Sequence, residues 1–291
     1  MITVTDLTKR YRRLLAVDDV SFHCRPGTVT GFLGPNGAGK SSVLRTLTGL
    51  SRPDAGETRV GGMPFTELPH PARVAGVMLD AAALHPGWTG RDTLRIAATM
   101  IGVRPDRTDA LLDETGLTAA ADRRVGTYSL GMRQRLGLAQ ALVGDPSVLI
   151  LDEPSNGLDP EGIAWTRTFL RDFARRGGTV LLSSHLLSEI QAVADHLVII
   201  RSGQVVADGD TATLLGGGGL LVRATDQQAL ARLLARHGAS ATTDASGALR
   251  TGLDAAELAG LAAAGGVVIT ELRPAADLED LFLALTTDRT A

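Results

Sequence analysis

The feature that most constrains this sequence is a glycine-rich octet between an aliphatic run and a helix-forming run. It fits the pattern G-x-x-x-x-G-K-[ST] with Gly34, Pro35, Asn36, Gly37, Ala38, Gly39, Lys40 and Ser41. The run from Thr28 to Leu33 predicts a strand, and the run from Lys40 to Thr48 predicts a helix. Glycines let successive N–H groups face one anion, and the helix adds the positive end of its dipole. The octet therefore predicts a P-loop, with Lys40 on the β- and γ-phosphates of a nucleotide and the Ser41 hydroxyl on Mg²⁺.

Composition narrows the kinds of protein that this chain can be. Of its 291 residues, 44% are hydrophobic and 21% are charged, which is typical of a globular protein. A formal net charge of −3 leaves no polybasic surface for nucleic acid or lipid. The single cysteine, Cys24, cannot form an internal disulfide, and the first residues lack a signal-peptide pattern, so we expect a cytosolic chain. Because apolar runs such as Val148 to Leu151 are far shorter than the roughly 20 residues of a membrane helix, any membrane role must depend on a partner.

Short β-rich runs alternate with helical runs through most of the chain. Examples are the strand predicted for Thr179 to Ser183 and the helix predicted for Leu187 to Ala194. This alternation is typical of βαβ units with a parallel sheet, and unbroken apolar strands indicate burial on both faces. The opening runs, Ile2 to Leu7 and Val17 to Cys24, predict antiparallel strands. The expected fold class is therefore α/β with a mixed sheet.

The glycine run from Gly216 to Gly219 marks the predicted domain boundary, since it can support neither a helix nor a packed strand. We expect a nucleotide-binding domain at residues 1–215, with a helical subdomain at about 85–145, and an accessory α+β domain at 216–291. The accessory domain is predicted to follow the order strand, helix, strand, strand, helix, strand, helix. That order is typical of the split βαβ motif of ferredoxin-like folds.

A second aliphatic run, Val148 to Leu151, ends in two acids, Asp152 and Glu153. At the end of a buried strand the first carboxylate can reach Mg²⁺, and the second can hold a water molecule. The pair could also end a strand in solvent, without any chemistry. Upstream, the octet from Tyr128 to Arg135 begins a predicted helix, for which Ser129 suits the N-cap position.

Taken together, these segments resemble the nucleotide-binding subunit of ATP-binding-cassette (ABC) transporters, over roughly residues 1–215. In that family the second octet corresponds to the signature motif. Ser129 and Gly131 retain the family pattern, whereas Tyr128 replaces its leucine and Leu130 replaces its first glycine. The resemblance implies the fold of an ABC cassette, a P-loop ATPase with a helical subdomain.

Three further segments carry the resemblance. The segment from Ser155 to Asp159 is similar to the family's D-loop, and His185 lies where the family has its switch histidine. Tyr11 lies where the family stacks adenine on an aromatic ring. Each also has a plainer interpretation. Asp159 precedes Pro160 and could simply cap a helix, His185 could end a strand without chemistry, and Tyr11 could lie in a solvated loop.

The resemblance implies an ATP-sandwich dimer, in which two copies pair head to tail and each signature helix caps the ATP on the other copy. It also implies catalytic roles for Lys40, for Glu153 as the group that orients or deprotonates water, and for His185 on the γ-phosphate. The implied nucleotide-binding residues are Tyr11, Gly34, Pro35, Asn36, Gly37, Ala38, Gly39, Lys40, Ser41, Ser42, Ser129, Gly131 and Asp159. The implied Mg²⁺ ligands are Ser41, Asp152 and Asp80.

Asp80 departs from the family, which has a glutamine after the strand that we predict for Arg73 to Leu79. Aspartate is one methylene shorter and has no N–H to donate, but its carboxylate is a better ligand for Mg²⁺. In the family, the loop from Asp80 to Thr93 docks a coupling helix of the membrane subunit. We expect its large apolar residues to be exposed, namely Leu84, Pro86 and Trp88, although Trp88 could instead belong to the core.

The function implied by the resemblance is ATP hydrolysis that drives export of a drug-like or lipophilic compound, as in the bacitracin and daunorubicin resistance type. The implied partners are a second copy and a separate permease, at the cytoplasmic face of the membrane, with no nucleic acid. An importer ATPase shares all these motifs and stays an alternative. A soluble ABC ATPase would ordinarily carry two cassettes, and a chromosome-maintenance ATPase would need a coiled coil. A module that senses ATP without turnover would also fit, if Asp80 and the altered signature prevent hydrolysis.

Overall fold

The structure is a computed structural model that describes residues 1–80, 83–215, 219–244, 246–274 and 278–286. The chain divides into two units, Met1–Gly209 and Asp210–Thr287. This division falls shortly before the glycine run, whose residues 216–218 lie outside the described part. A short helix, Thr211–Leu214, directly follows the last strand of the first unit, so the second unit begins with regular structure.

The elements of the first unit follow one another in a largely alternating order. Its strands are β1 (Ile2–Tyr11), β2 (Leu14–Cys24), β3 (Val29–Leu33), β4 (Ala55–Val60), β5 (Ala75–Met78), β6 (Val148–Asp152), β7 (Thr179–Ser183), β8 (His196–Arg201) and β9 (Gln204–Asp210). Its helices are α1 (Lys40–Leu47), α2 (Pro71–Val74), α3 (Gly90–Ile101), α4 (Arg107–Glu114), α5 (Leu130–Leu142), α6 (Pro160–Arg175) and α7 (Leu187–Val193). Helices α3, α4 and α5 lie inside the range expected for a helical subdomain.

Two sheets build the first unit. A six-stranded sheet has the order β5-β6-β7-β3-β8-β9, and its pairs from β5 to β8 are parallel. A three-stranded sheet has the order β2-β1-β4 with antiparallel pairs. The opening antiparallel strands therefore form a sheet of their own beside the parallel one. In the six-stranded sheet β6, β7 and β3 are neighbours, so their carboxyl ends meet at one edge.

Helix α1 packs in the core between the two sheets. Its buried side chains Val43, Leu44 and Leu47 belong to one apolar cluster with residues of β1, β2, β3 and β6. Within that cluster the ring of Phe22 on β2 stacks on Phe32 of β3, with centroids 5.3 Å apart. Burying a large apolar side chain contributes about 1.5–3 kcal/mol, so this cluster fixes the helix that follows the glycine-rich loop.

Local sequence signals explain where several helices begin. Helix α5 begins after Ser129, whose side chain accepts a hydrogen bond from the Met132 N–H, and α6 begins after Asp159 with Pro160 at its first position. The strand expected for Arg73 to Leu79 is shorter than predicted. Its first two residues belong to α2, because Pro71 favours a helical turn there, and β5 covers only Ala75–Met78.

The second unit is built on a four-stranded antiparallel sheet. Its elements are α8 (Thr211–Leu214), β10 (Leu220–Ala224), α9 (Gln227–Arg236), β11 (Ala241–Thr243), β12 (Leu249–Thr251), α10 (Ala255–Ala264), β13 (Ile269–Pro274) and α11 (Leu278–Thr286). The strand order is β11-β12-β10-β13, with antiparallel neighbours. With α9 and α10 between the strands, this is the order of a split βαβ motif. Its small core combines sheet and helix residues, namely Val222, Leu230, Leu234, Leu249 and Leu258.

Candidate nucleotide site

The glycine-rich loop connects β3 to α1 as a tight turn over the edge of the six-stranded sheet. Gly39 has φ 108°, and a Cβ there would overlap the backbone carbonyl of Ala16. A Cβ at Gly34 would overlap the backbone carbonyl of Ile200. Only glycine meets both requirements, the positive φ and the close approach of another backbone. The loop is therefore shaped by its neighbours β2 and β8.

The loop opens onto a pocket of about 330 Å³. The pocket is lined by Tyr11, Leu14, Ala16, Pro35, Asn36, Gly37, Gly39, Lys40, Ser41, Ser42, Asp152 and Glu153. The structure thus brings together three groups far apart in sequence: the loop, the aromatic residue near the N-terminus and the two acids that end the β6 segment. Of the loop residues in the expected nucleotide-binding set, Gly34 and Ala38 support the turn from behind, without lining this pocket.

Lys40 directs its ammonium group into the curve of the loop. Its Nζ donates hydrogen bonds to the carbonyl oxygens of Gly34 and, at 3.3 Å, Pro35. Burial lowers the pKa of Lys40, and the carboxylates of Glu153 and Asp152 oppose that shift. A compact, partly desolvated cation inside a loop of backbone N–H groups is suited to bind phosphate oxygens.

Ser41 and Asp152 form a pair of oxygen ligands beside the loop. Ser41 Oγ donates to Asp152 Oδ2 at 3.5 Å, and Ser183 Oγ donates to Asp152 Oδ1. Burial raises the pKa of the Asp152 carboxyl, and the neighbouring carboxylate of Glu153 raises it further. In the described residues no three His, Cys, Asp or Glu side chains gather as a metal site. Mg²⁺ is usually held by one or two carboxylates together with substrate phosphates, so this hard-oxygen pair fits that ion.

Glu153 occupies a strained position just after β6. Its φ of 52° lies in the left-handed region, which costs a non-glycine residue about 1–3 kcal/mol and persists only when the surroundings enforce it. Its backbone N–H donates to the carbonyl oxygen of Ser183 at 3.1 Å. Its carboxylate Oε2 contacts His185 Nδ1 and accepts a hydrogen bond from the backbone N–H of His185 at 3.4 Å. These contacts hold a half-buried carboxylate at the mouth of the pocket.

Tyr11 lies at the rim of the pocket with 41% of its surface exposed. Its hydroxyl lies 3.4 Å from Ser51 Oγ, and the Lys9 ammonium lies 5.3 Å from its ring centre. The hydrogen bond with Ser51 is the main cause that lowers the pKa of Tyr11. An aromatic ring left open to solvent in this way can stack on a flat base.

The remaining predicted site residues lie outside this pocket. Asp80 lines a separate cavity of about 620 Å³, with Met78, Leu84 and Met100 among its walls. The structure does not bring it to the pocket that Ser41 and Asp152 line. In the loop from Asp80 to Thr93, Pro86 and Trp88 are exposed, whereas Leu84 is half-buried, because it contributes to the wall of that cavity.

Ser129, Gly131 and Asp159 gather around the start of α5 and α6. Ser129 and Asp159 cap those helices, as their plainer interpretation expects. Gly131 contacts the segment before α6, where a Cβ would lie 3.2 Å from Leu158 Cδ2. None of the three lines the pocket of its own chain.

Two polar residues that bond the acids of the site were not predicted, and neither were Leu14 and Ala16, which line the pocket. Ser183 pairs in register with Asp152 across β6 and β7, and it bonds both Asp152 and the backbone of Glu153. A polar residue at the carboxyl end of a neighbouring parallel strand could have indicated it. Gln134 is 7% exposed on α5 and donates from Nε2 to the Glu153 carbonyl oxygen at 3.4 Å. No sequence signal distinguished it from an ordinary helix residue.

Comparison with known proteins agrees with this geometry. Residues 17–156 match the family described as ABC transporter, and residues 218–279 match a domain of unknown function. The bacitracin transport ATP-binding protein BcrA of Bacillus licheniformis is 39% identical over 211 residues, covering 72% of this chain and 69% of the relative. The Nod factor export ATP-binding protein I of Burkholderia thailandensis is 37% identical over 297 residues, covering 98% of this chain and 96% of the relative.

A solved structure of an ATP-binding subunit of an ABC transporter superposes with a TM-score of 0.68 at 27% identity. The superposition covers 74% of this chain and 91% of the solved chain. The phosphate loop, the acids after β6 and these relatives all lead to the same family. This chain belongs to the ABC transporter family, among its ATP-binding, ATP-hydrolysing subunits.

Proposed function

We propose that this chain is the ATPase motor of an exporter, which acts as a pair of copies on a separate membrane subunit. The observation that carries the proposal is the pocket where the loop around Lys40 meets Asp152 and Glu153. Phosphate-binding groups, a pair of hard-oxygen ligands and a positioned carboxylate are what hydrolysis of a nucleoside triphosphate requires.

The residues of the pocket take separate roles in this proposal. Tyr11 stacks on the adenine, and the loop N–H groups with Lys40 hold the phosphates. Ser41 and Asp152 would hold Mg²⁺, which would neutralise phosphate charge. Glu153 orients the attacking water and accepts its proton, since its carboxylate is fixed by His185 at the pocket mouth. His185, half exposed beside Glu153, can also donate to the γ-phosphate.

A second copy is required because the signature residues lie away from the pocket of their own chain. In a head-to-tail pair, the N-terminal end of α5 with Ser129 and Gly131 would cap the ATP on the partner. Asp159 belongs to the same surface at the start of α6. Binding of ATP then closes the pair, and hydrolysis opens it.

The membrane partner is proposed to dock at the cavity that Asp80 lines. That cavity is mainly apolar and open, and the side chain of Met100 on its wall is 83% exposed. Trp88 lies in the adjoining loop, 40% exposed and stacked on His85. In the described part of the chain no helix has the length and apolar character to span a bilayer. Docking here would hold the chain at the cytoplasmic face of the membrane.

Export is favoured over import by the relatives. BcrA is named for bacitracin transport and the protein of Burkholderia thailandensis for Nod factor export, and the latter matches along nearly the whole chain. An amphiphilic or drug-like cargo is therefore proposed, with its binding site on the membrane subunit.

Light scattering of a Glu153→Gln variant tests the proposal. With Mg²⁺ and ATP, we expect this variant to bind nucleotide and accumulate as a dimer, because the amide keeps the shape of the site but cannot accept the proton. Adding Lys40→Met to the same variant should return it to monomers. A strictly monomeric Glu153→Gln protein, saturated with MgATP beside its membrane subunit, would refute the motor. Wild-type chain without Mg²⁺-dependent ATPase activity would refute it as well.

A further inference from the structure

Glu153 needs support on the carbonyl side of its backbone as well as on the amide side. Its φ of 52° is enforced on the amide side by Ser183. On the carbonyl side its oxygen accepts from the Asn156 N–H at 3.1 Å and from Gln134 Nε2 at 3.4 Å. Asn156 belongs to the same turn and moves with it. Gln134 is the contact on this side that comes from a different element, the helix α5.

Packing alone does not account for a glutamine at position 134. The side chain is buried, and its Oε1 has no hydrogen-bond partner in the described part of the chain. Leaving a buried acceptor unpaired costs about 1–3 kcal/mol, whereas methionine would fill a similar volume without that cost. The amide therefore contributes through its one bond, the donation to Glu153.

The start of α5 is also packed against the segment that follows Glu153. A Cβ at Gly157 would overlap the Leu130 side chain, and Gly131 approaches Leu158. Helix α5 thus contacts this segment at Glu153 through Gln134 and at Gly157 through Leu130. The leucine that replaces the family's first signature glycine supplies the second contact.

We infer that Gln134 is a positioning residue that holds Glu153 in its hydrolytic conformation and links it to the signature end of α5. The inference rests on the proposed function. In the proposed pair, the N-terminal end of α5 contacts the ATP of the partner, and Gln134, about one turn later, fixes Glu153 of its own chain. A change in the γ-phosphate on one copy would reach the carboxylate of the other copy through this bond.

Two substitutions at position 134 test the inference. Gln134→Met removes the donor at similar volume, and Gln134→Glu supplies a donor only when its carboxyl is protonated. The control is Gln228→Met, at an exposed position on α9. MgATP affinity is measured by equilibrium binding, kcat by phosphate release between pH 6 and 8, and folding by thermal melting.

We expect Gln134→Met to fold and to bind MgATP within about twofold of wild type, while its kcat falls about tenfold or more, since a small misplacement of a catalytic group can cost up to about 10²-fold. The kcat of Gln134→Glu, divided by that of wild type, should rise as the pH falls, because burial keeps the carboxyl protonated to higher pH. The same ratio for Gln134→Met should stay flat.

Wild-type kcat in Gln134→Met would overturn the inference, and so would identical pH profiles for the two variants. A parallel loss of ATP binding would reduce Gln134 to a folding role and overturn it as well. All these outcomes presuppose an active wild-type enzyme. An inert wild type would instead contradict the proposed function.

Discussion

His185 lies against the carboxylate of Glu153. Its ring Nδ1 and its backbone N–H are both directed at Glu153 Oε2. His185 follows β7, and Glu153 follows β6, the neighbouring strand. Glu153, the proposed general base, is therefore oriented by His185, which follows the neighbouring strand. In the proposed mechanism this contact makes His185 a positioning residue for Glu153.

Replacing His185 by alanine should lower turnover more than binding. Without its partner the Glu153 carboxylate can rotate away, so we expect kcat to fall by about 10²-fold, as a small misplacement of a catalytic group can cause. The Kd for MgATP should change far less, because at most one proposed bond to the γ-phosphate is lost. Steady-state phosphate release and nucleotide binding measure the two effects. His237→Ala is the control, because His237 lies at the C-cap of α9 in the second unit, and its ring Nδ1 contacts the Leu233 carbonyl oxygen of that helix at 2.9 Å. An effect of His185→Ala on Kd alone would contradict the assignment.

Replacing Tyr11 by alanine should weaken ATP binding and leave the chemical step intact. Stacking of a base on an aromatic ring contributes about 1–3 kcal/mol, which corresponds to a rise in KM of roughly 5- to 150-fold. Tyr11→Phe loses the contact with Ser51 but keeps the ring, so its KM should stay close to that of wild type. Equal effects of the two substitutions would show that the hydroxyl, and not the ring, matters.

Asp152 should destabilise the nucleotide-free protein at neutral pH. Its pKa is raised by burial and by Glu153, so the folded chain binds the proton more tightly than the unfolded chain. Stability then falls as the pH rises from about 3.9, the unfolded value, through the raised folded value. Above that pH range the ionised carboxylate lowers the free energy of unfolding by a constant amount.

Asp152→Asn should therefore raise Tm at pH 7, by about 2–4 °C for each kcal/mol recovered. The gain should shrink as the pH falls toward 4, because the wild-type carboxyl becomes neutral too. Scanning calorimetry across this range measures it. Glu114→Gln, at an exposed position on α4, is the control and should show no such gain. A Tm gain independent of pH would contradict the electrostatic explanation.

Replacing Gly157 by alanine should disturb the segment between Glu153 and α6. Its φ of 73° and the nearby Leu130 side chain both oppose a Cβ. We expect a loss of about 1–2 kcal/mol from the left-handed backbone and a further ~1–3 kcal/mol from overlap. Gly177→Ala is the control, since Gly177 has φ 93° with no neighbour near its Cβ, and it should show only the backbone cost.

Adding Leu130→Ala to Gly157→Ala should remove the overlap and recover the part of the stability that the overlap cost. Urea unfolding of the four proteins of this cycle should give a coupling energy of about 0.5–3 kcal/mol. Simple additivity of the two substitutions would show that the contact between Leu130 and Gly157 is not tight.

The parts of the fold that local sequence determines were predicted well. The strand β7 coincides with its predicted range, and the helix α1 begins at its predicted first residue, Lys40, and ends one residue earlier than predicted. In both segments the local apolar pattern agrees with the structure that the segment adopts. Strand β4, which has one glycine and two charged residues among its six, was missed. It forms because β1 offers an edge to pair with, which the strand's own residues do not reveal.

The candidate site divides in the same way. Lys40, Ser41, Asp152 and Glu153 belong to spaced motifs and were predicted from them. Ser183 and Gln134 contact Glu153 only because β7 and α5 fold beside β6, so no spacing in the sequence relates them. Asp80 shows the converse, since a plausible ligand type at the end of β5 faces another cavity.

The adjacency of β6, β7 and β3 makes the chemistry sensitive to strand register. In the present pairing Asp152 lies opposite Ser183, and Val29 opposite Val180. A slip of β7 by a single residue would turn each of its side chains to the other face of the sheet. Ser183 would then leave Asp152, and the histidine two residues later would face away from the carboxylate. The alignment of one wholly buried strand thus decides whether the phosphate loop belongs to an enzyme or only to a nucleotide-binding protein.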